Sequence, residues 1–273
     1  MSQDELDRRG RADLHIHTLA SDGTASVTEI LDTVAGTGFL DVIAISDHER
    51  IDAAVVARLI AADRGLPVEI IVGEEITTRG GHLLGLFLER RVPPLKSLRW
   101  SIEAIHDQGG IAVPAHPLVP IHLSAQAWVL RGLLNDDNPL VHPDAIETFN
   151  PTAIGRYGHA RSEAFAAMHG LPQLGSSDAH AATAVGSAWT SYPGRSADDL
   201  RAAILARETG THGIFHGSVG QLGVFGRQLR KRGRDARAEV LGRVRRDGTG
   251  RDHGYPGSTR RPPRFDPSDD VQR

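Results

Sequence analysis

Cysteine is absent from the 273 residues, which removes disulfides, thiolate metal sites and cysteine nucleophiles together. Lysine is scarce: only Lys96 and Lys231 occur, so arginine supplies nearly all of the basic charge. Aromatic residues make up only 5% of the chain. No apolar run approaches the roughly 18 residues that a membrane-spanning helix needs. The N-terminus MSQDELDRRG is polar, so no export signal or anchor is read, and a cytoplasmic protein is expected. What the chain does have is histidine, 14 of them, against 3 Trp and 3 Tyr.

At 40% hydrophobic and 24% charged, the composition is that of a globular chain with a substantial core, which excludes collagen-like and wholly disordered classes. The formal charge of −3 is unevenly spread. From Gln221 onward there are 14 basic residues against 7 acidic ones, which leaves the preceding residues at −10. A body of that sign is no general nucleic-acid platform. The basic, Gly/Pro-rich end reads as a solvated tail, although the arginine-rich stretch 228–237 is a candidate docking segment.

Short apolar, β-branched runs alternate with amphipathic stretches. Strands are predicted at 12–17, 41–46, 68–75, 82–88, 111–115, 144–150 and 172–176. Helices are predicted at 26–37, 52–64, 98–108, 124–134, 159–169 and 196–207. The first helix opens on Ser26-Val-Thr-Glu29, a capping box, and Gly36 and Gly38 offer its stop. Five residues, Thr77 to Gly81, cannot make a parallel crossover, so the third and fourth strands should form a hairpin. The remainder argues for a mainly parallel α/β sheet, open or closed.

Nearly every predicted strand ends in histidine or carboxylate. The series runs Asp13-Leu-His15-Ile-His17, Asp22, Ser46-Asp47-His48, Gly73-Glu74-Glu75, His82, Pro114-Ala-His116-Pro117, Glu147-Thr-Phe-Asn150 and Ser176-Ser-Asp178-Ala-His180. C-terminal strand ends in such an array share one edge, so these groups should converge. Residues two apart on a strand share a face, which pairs His15 with His17 and Asp178 with His180. Burying so many imidazoles and carboxylates together is costly without a cation. Nine candidates result: His15, His17, Asp22, His48, Glu74, His82, His116, Asp178 and His180. Nine exceed what one ion can use, so two or three divalent ions are implied; a donor set without thiolate suits Zn, Mn or Fe. Such multi-metal sites hydrolyse phosphate esters. Asp13 and Asp47 adjoin ligand histidines and are read as groups that orient the imidazoles. Glu75, on the opposite face from Glu74 by strand alternation, is read as pointing away from the site. Arg156, His159 and Arg161 are candidates for gripping a substrate phosphate. His106, His169 and His253 are assigned to exposed surface.

In this order, these motifs resemble the polymerase and histidinol phosphatase (PHP) superfamily, over about residues 12–191. The resemblance implies a distorted seven-stranded β/α barrel with a C-terminal extension and a trinuclear metal centre at the C-terminal mouth. It implies that His15, His17, Glu74 and Asp178 hold one ion. Glu74 would bridge to a second, completed by His116 and His82, and Asp22, His48 and His180 would hold a third. The Ser21-Asp22-Gly23 pattern and compact length look most like the small bacterial branch acting on nucleoside 3′,5′-bisphosphates and short RNA 5′ ends. Alternatives within the family are histidinol phosphate and other small phosphate esters. An asparagine opening the helix after the sixth strand is expected in this family, where the chain offers His159 or Arg161. The expected layout is a flexible stretch 1–11, a catalytic barrel 12–215, an appendage 216–241 and a disordered tail 242–273. Two rivals are weighed. Amidohydrolase barrels also carry His-x-His, but many bridge their metals through a modified lysine, for which Lys96 and Lys231 are poorly placed. The other is a PHP module that binds metal or a partner without turnover.

Overall fold

The computed structural model describes residues 9–120 and 123–215. The appendage 216–241, the tail 242–273 with its stretch 228–237, and His122, His216 and His253 lie outside the described residues.

Among the described residues, nine strands form two sheets. The larger has seven strands: β1 (Gly10–Ile16), β2 (Val42–Ile45), β3 (Glu69–Thr78), β4 (Gly81–Leu86), β5 (Ile111–Pro114), β8 (Ala188–Tyr192) and β9 (Gly210–Gly213), in the order β5-β4-β3-β2-β1-β8-β9. The smaller pairs β6 (Ile146–Phe149) with β7 (Gln173–Gly175) in parallel. This pair lies against β5 at one end of the larger sheet and against β8 at the other. On one side the Asp144 amide donates to Ala112 O; on the other the Gly175 amide donates to Thr190 Oγ1. The result is the distorted barrel expected, assembled in two pieces.

β1, β2 and β3 run parallel, whereas β3–β4 is the antiparallel hairpin. Two strands went unforeseen. β8 and β9 pair antiparallel on the outer side of β1, and β8 registers Gly10 with Tyr192 and Arg11 with Ser191. Gly10 and Arg11, assigned to a flexible terminus, therefore belong to β1.

The helices are α1 (Val27–Thr37), α2 (Asp52–Asp63), α3 (Leu98–His106), α4 (Ala127–Leu134), α5 (Ala153–His169) and α6 (Ala197–Ala206). The capping box forms: Ser26 accepts from the Glu29 amide while Glu29 reaches back to Ser26 N, and such a cap contributes about 0.5–2 kcal/mol. Gly38, at φ 57°, is the αL stop. The central strands are buried on both faces. Ile43, Ile45 and Val72 pack with Ile30 and Leu31 of α1, while Val42, Ala44 and Ile71 belong to a second cluster with Leu84, Leu200 and Ile204. α5 starts six residues earlier than predicted, at Ala153, where the Thr152 hydroxyl accepts from Gly155 N.

His106, expected on exposed surface, is half-buried: Nε2 lies 2.8 Å from Asp144 Oδ2 and Nδ1 2.8 Å from Leu140 O. His169 is also half-buried, its ring against Phe165. Among the described residues no helix is long and apolar enough to cross a membrane.

Candidate metal centre

One edge of the barrel collects the polar groups, for a topological reason. β1 and β2 end there, delivering His15, His17 and His48, and β3 delivers Glu75 beside His48 through a parallel bridge. β4 runs the other way, so its start, with His82, reaches the same edge. Beyond β5 comes His116, and beyond β7 come Asp178 and His180, docked to β1 by the bridge between Ile16 and Ala179.

Among the described residues three groups of donor atoms form, those of each group within 4.8 Å of one another: His17, Asp22, His48 and His180; His15, His17 and Asp178; and His48, Glu75 and His82. His116 joins them, with Nε2 3.1 Å from Glu75 Oε1. Of the nine sequence candidates, all but Glu74 therefore converge.

Glu75 takes the place assigned to Glu74. Its Oε2 lies 3.3 Å from the Nε2 atoms of His15, His17 and His48, and its Oε1 lies 2.7 Å from His82 Nδ1. Glu74 points to the other face, where Oε2 accepts from the Val92 amide at 2.7 Å. The two neighbours do alternate, but the assignment of faces was inverted. Both are fully buried, at 0% and 1% exposure, so polarity along the strand could not say which side carried the site.

Burial opposes charge on His15, His17, His116, Asp22, Glu75 and Asp178, yet for these six the opposite charges around them prevail. For His17 the Asp178 and Glu75 carboxylates outweigh desolvation and raise its pKa to about 10. His15 and His116 are raised the same way by neighbouring carboxylates. Against the same desolvation, the surrounding imidazoles hold Asp22, Glu75 and Asp178 below the usual carboxylate range. Glu74 lacks imidazole neighbours, and burial pushes it up to about 7.

The donor set fits divalent cations. His15 Nε2, His17 Nε2 and His82 Nδ1 are buried and lack hydrogen-bond partners of good geometry, although carboxylate oxygens stand 2.7–3.5 Å away. Nitrogens and anionic oxygens facing shared points at these spacings are what N/O ligands to Zn, Mn or Fe provide.

Two ligand candidates carry backbone strain: His116 at φ 29° and Asp178 at φ 49° are left-handed although neither is glycine. His116 is held by Ser124, whose hydroxyl donates to its carbonyl at 3.0 Å. Asp178 Oδ2 receives the Asn150 amide at 3.2 Å. Close approach matters at Gly23, where a Cβ would strike the His17 carbonyl, and at Gly155, where it would strike Asn150.

The flanking aspartates do not orient imidazoles. Asp13 accepts from the Ser177 and Gly186 amides, and burial raises its pKa to about 6; it anchors the loop that carries Asp178. Asp47 accepts from the amide and hydroxyl of Thr18 and from the Ser21 hydroxyl, tying down the loop between His17 and Asp22. Glu147 meets the other nitrogen of a clustered imidazole, 3.1 Å from His15 Nδ1, a contact without a local sequence signal because 132 residues separate the two.

The phosphate-gripping candidates also fare differently. The Arg156 guanidinium lies over the Phe215 ring, Arg161 lies over Tyr157, and His159 Nδ1 donates to Thr148 O. These contacts, and that of His159 Nε2 with Glu163 Oε2 at 3.4 Å, lie around α5 rather than in the cluster. The asparagine expected at the helix start is Asn150, just ahead of the Thr152 cap; it was missed because the start of α5 was set at His159. Lys96, the described lysine that an amidohydrolase-type bridge would need, instead sets its Nζ over Trp100 at 5.4 Å.

A family model described as PHP-associated matches residues 157–209. An uncharacterized protein of Methanocaldococcus jannaschii is 36% identical over 122 residues, spanning 41% of this chain and 70% of that protein. The chain belongs to the PHP family. A 5′-3′ exoribonuclease of Haemophilus influenzae is 33% identical to this PHP chain over 105 residues, 37% of each. Among solved structures, a two-domain protein from Bacteroides vulgatus containing a predicted PHP-like metal-dependent phosphoesterase matches with a TM-score of 0.61 at 20% identity, covering 76% of this chain and 65% of that one. PsfC from Pseudomonas syringae matches at 0.57 and 20% identity, covering 83% and 99%. Both share the fold of this chain.

Proposed function

We propose that this PHP chain is a metal-dependent phosphoesterase using two or three divalent ions. Its substrates would be phosphate esters of nucleotides, such as nucleoside 3′,5′-bisphosphates or short RNA 5′ ends. The observation that carries the reading is the Glu75 carboxylate, with three imidazole nitrogens at one oxygen and two at the other. One carboxylate serving two donor groups is the arrangement that bridges paired cations about 3.5–4 Å apart.

The ion between the β1 and β7 ends would be held by His15, His17, Asp178 and Glu75, and its neighbour by Glu75, His82 and His116. Asp22, His48 and His180 would hold the third. Bound divalent cations would supply positive charge for the phosphoryl oxygens and an acidified water as nucleophile at neutral pH. The chain's own part is placement. His15, His17 and Glu75 are buried and fixed, whereas His48, Asp178 and His180 are half-buried and line the side open to substrate. Asp13, Asp47 and Asn150 immobilise the loops that carry these ligands, so little reorganisation is needed on binding an ester.

The nucleotide assignment is supported by the likeness to the exoribonuclease over 105 residues and by aspartate at position 22. A screen of the metal-reconstituted protein against 3′-phospho-AMP, AMP, histidinol phosphate and 5′-phosphorylated RNA tests it. Turnover is expected on the nucleotides. Protein that is loaded with ions yet cleaves no phosphate ester would refute the proposal.

A further inference from the structure

We propose that Glu147 is a positioning residue that sets the tautomer of His15 and locks three ligand-bearing segments together; this rests on reading the cluster as a metal centre. Glu147 sits on β6, beside a shift of the register with β7 between Glu147 and Phe149. Its side chain is wholly buried, at 0% exposure. Among the described residues, three donors meet it. His15 Nδ1 meets Oε1 at 3.1 Å, the His116 amide donates to Oε2 at 2.6 Å, and Asn150 Nδ2 donates to Oε2 at 3.1 Å.

The consequences follow from donor and acceptor chemistry. A carboxylate accepts only, so the neutral His15 ring must carry its proton on Nδ1 and present the Nε2 lone pair. That Nε2 is the atom 3.3 Å from Glu75 and 3.5 Å from Asp178, without a hydrogen bond of good geometry. Glu147 therefore turns His15 into a ligand aimed at the centre without touching the centre itself. Through the His116 amide it holds a residue in a left-handed conformation, and through Asn150, whose Nδ2 also reaches Asp178 Oδ2 at 3.2 Å, it connects to the β7 loop. Ligands from the β1 and β5 ends thus share one acceptor, and Asn150 ties it to the ligand beyond β7.

Glutamine is nearly isosteric yet cannot replace it. With its oxygen toward His116 N and Asn150 Nδ2, its amide group faces His15 Nδ1, which must then accept, and the ring proton moves to Nε2. Turned the other way, it sets its NH2 against two donors. The first orientation takes the Nε2 lone pair away from the centre, and the second leaves mismatched buried donors.

The test uses the full chain, stripped by chelation and reloaded with Zn or Mn. For E147Q, metal affinity from chelator competition is expected to fall about 10- to 100-fold, the usual effect of losing an outer-shell carboxylate. In Zn-loaded wild type with labelled imidazole nitrogens, His15 is expected to carry a slowly exchanging proton on Nδ1 and none on Nε2, with His15→Gln assigning the signal. E147Q binding ions within twofold of wild type, or a wild-type His15 protonated on Nε2, overturns the proposal. If E147Q does not fold, the wild-type spectrum decides alone. A wild type that takes up no divalent ion removes the metal centre and this role with it, an outcome distinct from one in which wild type and variant load alike.

Discussion

Neighbouring glutamates on β3 offer a stringent contrast, Glu75→Gln against Glu74→Gln. Glu75 approaches five imidazoles, the nearest at 2.7 Å, and stands in the donor group with His48 and His82. An interaction with a charged partner contributes about 1.5–3 kcal/mol. With tenfold in binding corresponding to about 1.4 kcal/mol, losing even one such interaction with a cation weakens it about 10- to 100-fold. Since Glu75 faces two donor groups, metal-reconstituted Glu75→Gln should hold fewer ions per chain and lose at least about 100-fold in phosphatase rate. Glu74 accepts one amide, from Val92, and the glutamine carbonyl can accept it equally well. Glu74→Gln should therefore stay within about threefold of wild-type activity and about 1 kcal/mol of its stability. Elemental analysis after reconstitution, p-nitrophenyl phosphate turnover and urea unfolding measure all three quantities. Full loss in Glu74→Gln with metal and rate retained in Glu75→Gln would refute the geometry.

Other perturbations read different parts of the molecule. His15→Ala and Asp178→Ala should each lower the number of bound ions and abolish turnover while leaving the far-ultraviolet circular dichroism of the fold unchanged; full turnover in either contradicts the centre. Gly23→Ala forces a Cβ against the His17 carbonyl, an overpacking that should cost about 1–3 kcal/mol in urea unfolding and weaken binding at Asp22; an unchanged midpoint would show that the loop yields freely. His106 tests pH linkage: hydrogen bonding to Asp144 raises its folded pKa above the ordinary value, against the pull of burial. Its stabilisation is thus complete below the unfolded value near 6.5 and is lost as pH rises through the raised folded value. The gap in unfolding free energy between wild type and His106→Ala should shrink from about pH 5.5 to about pH 9, and a gap that stays constant would disprove the linkage.

Sequence periodicity alone determined much of the architecture. Seven of the nine strands, the β3–β4 hairpin and the Ser26 cap were legible because each rests on contacts local in the chain: alternation, amphipathic spacing, a short turn, a side chain reaching three residues ahead. The convergence of eight donors was legible for a related reason, since strand ends in a parallel array must share an edge. Only the tertiary structure decided the rest. β8 and β9 exist because they pair with the outer side of β1, at a separation of about 180 residues for β8, which no local pattern encodes. Glu75 rather than Glu74 faces the imidazoles because the face a buried residue presents depends on which sheet covers it, and both neighbours here are covered. Glu147 and Asn150 act through partners on other strands, so their roles come into being only when β6 lies beside β5 and brings a carboxylate to the back of His15.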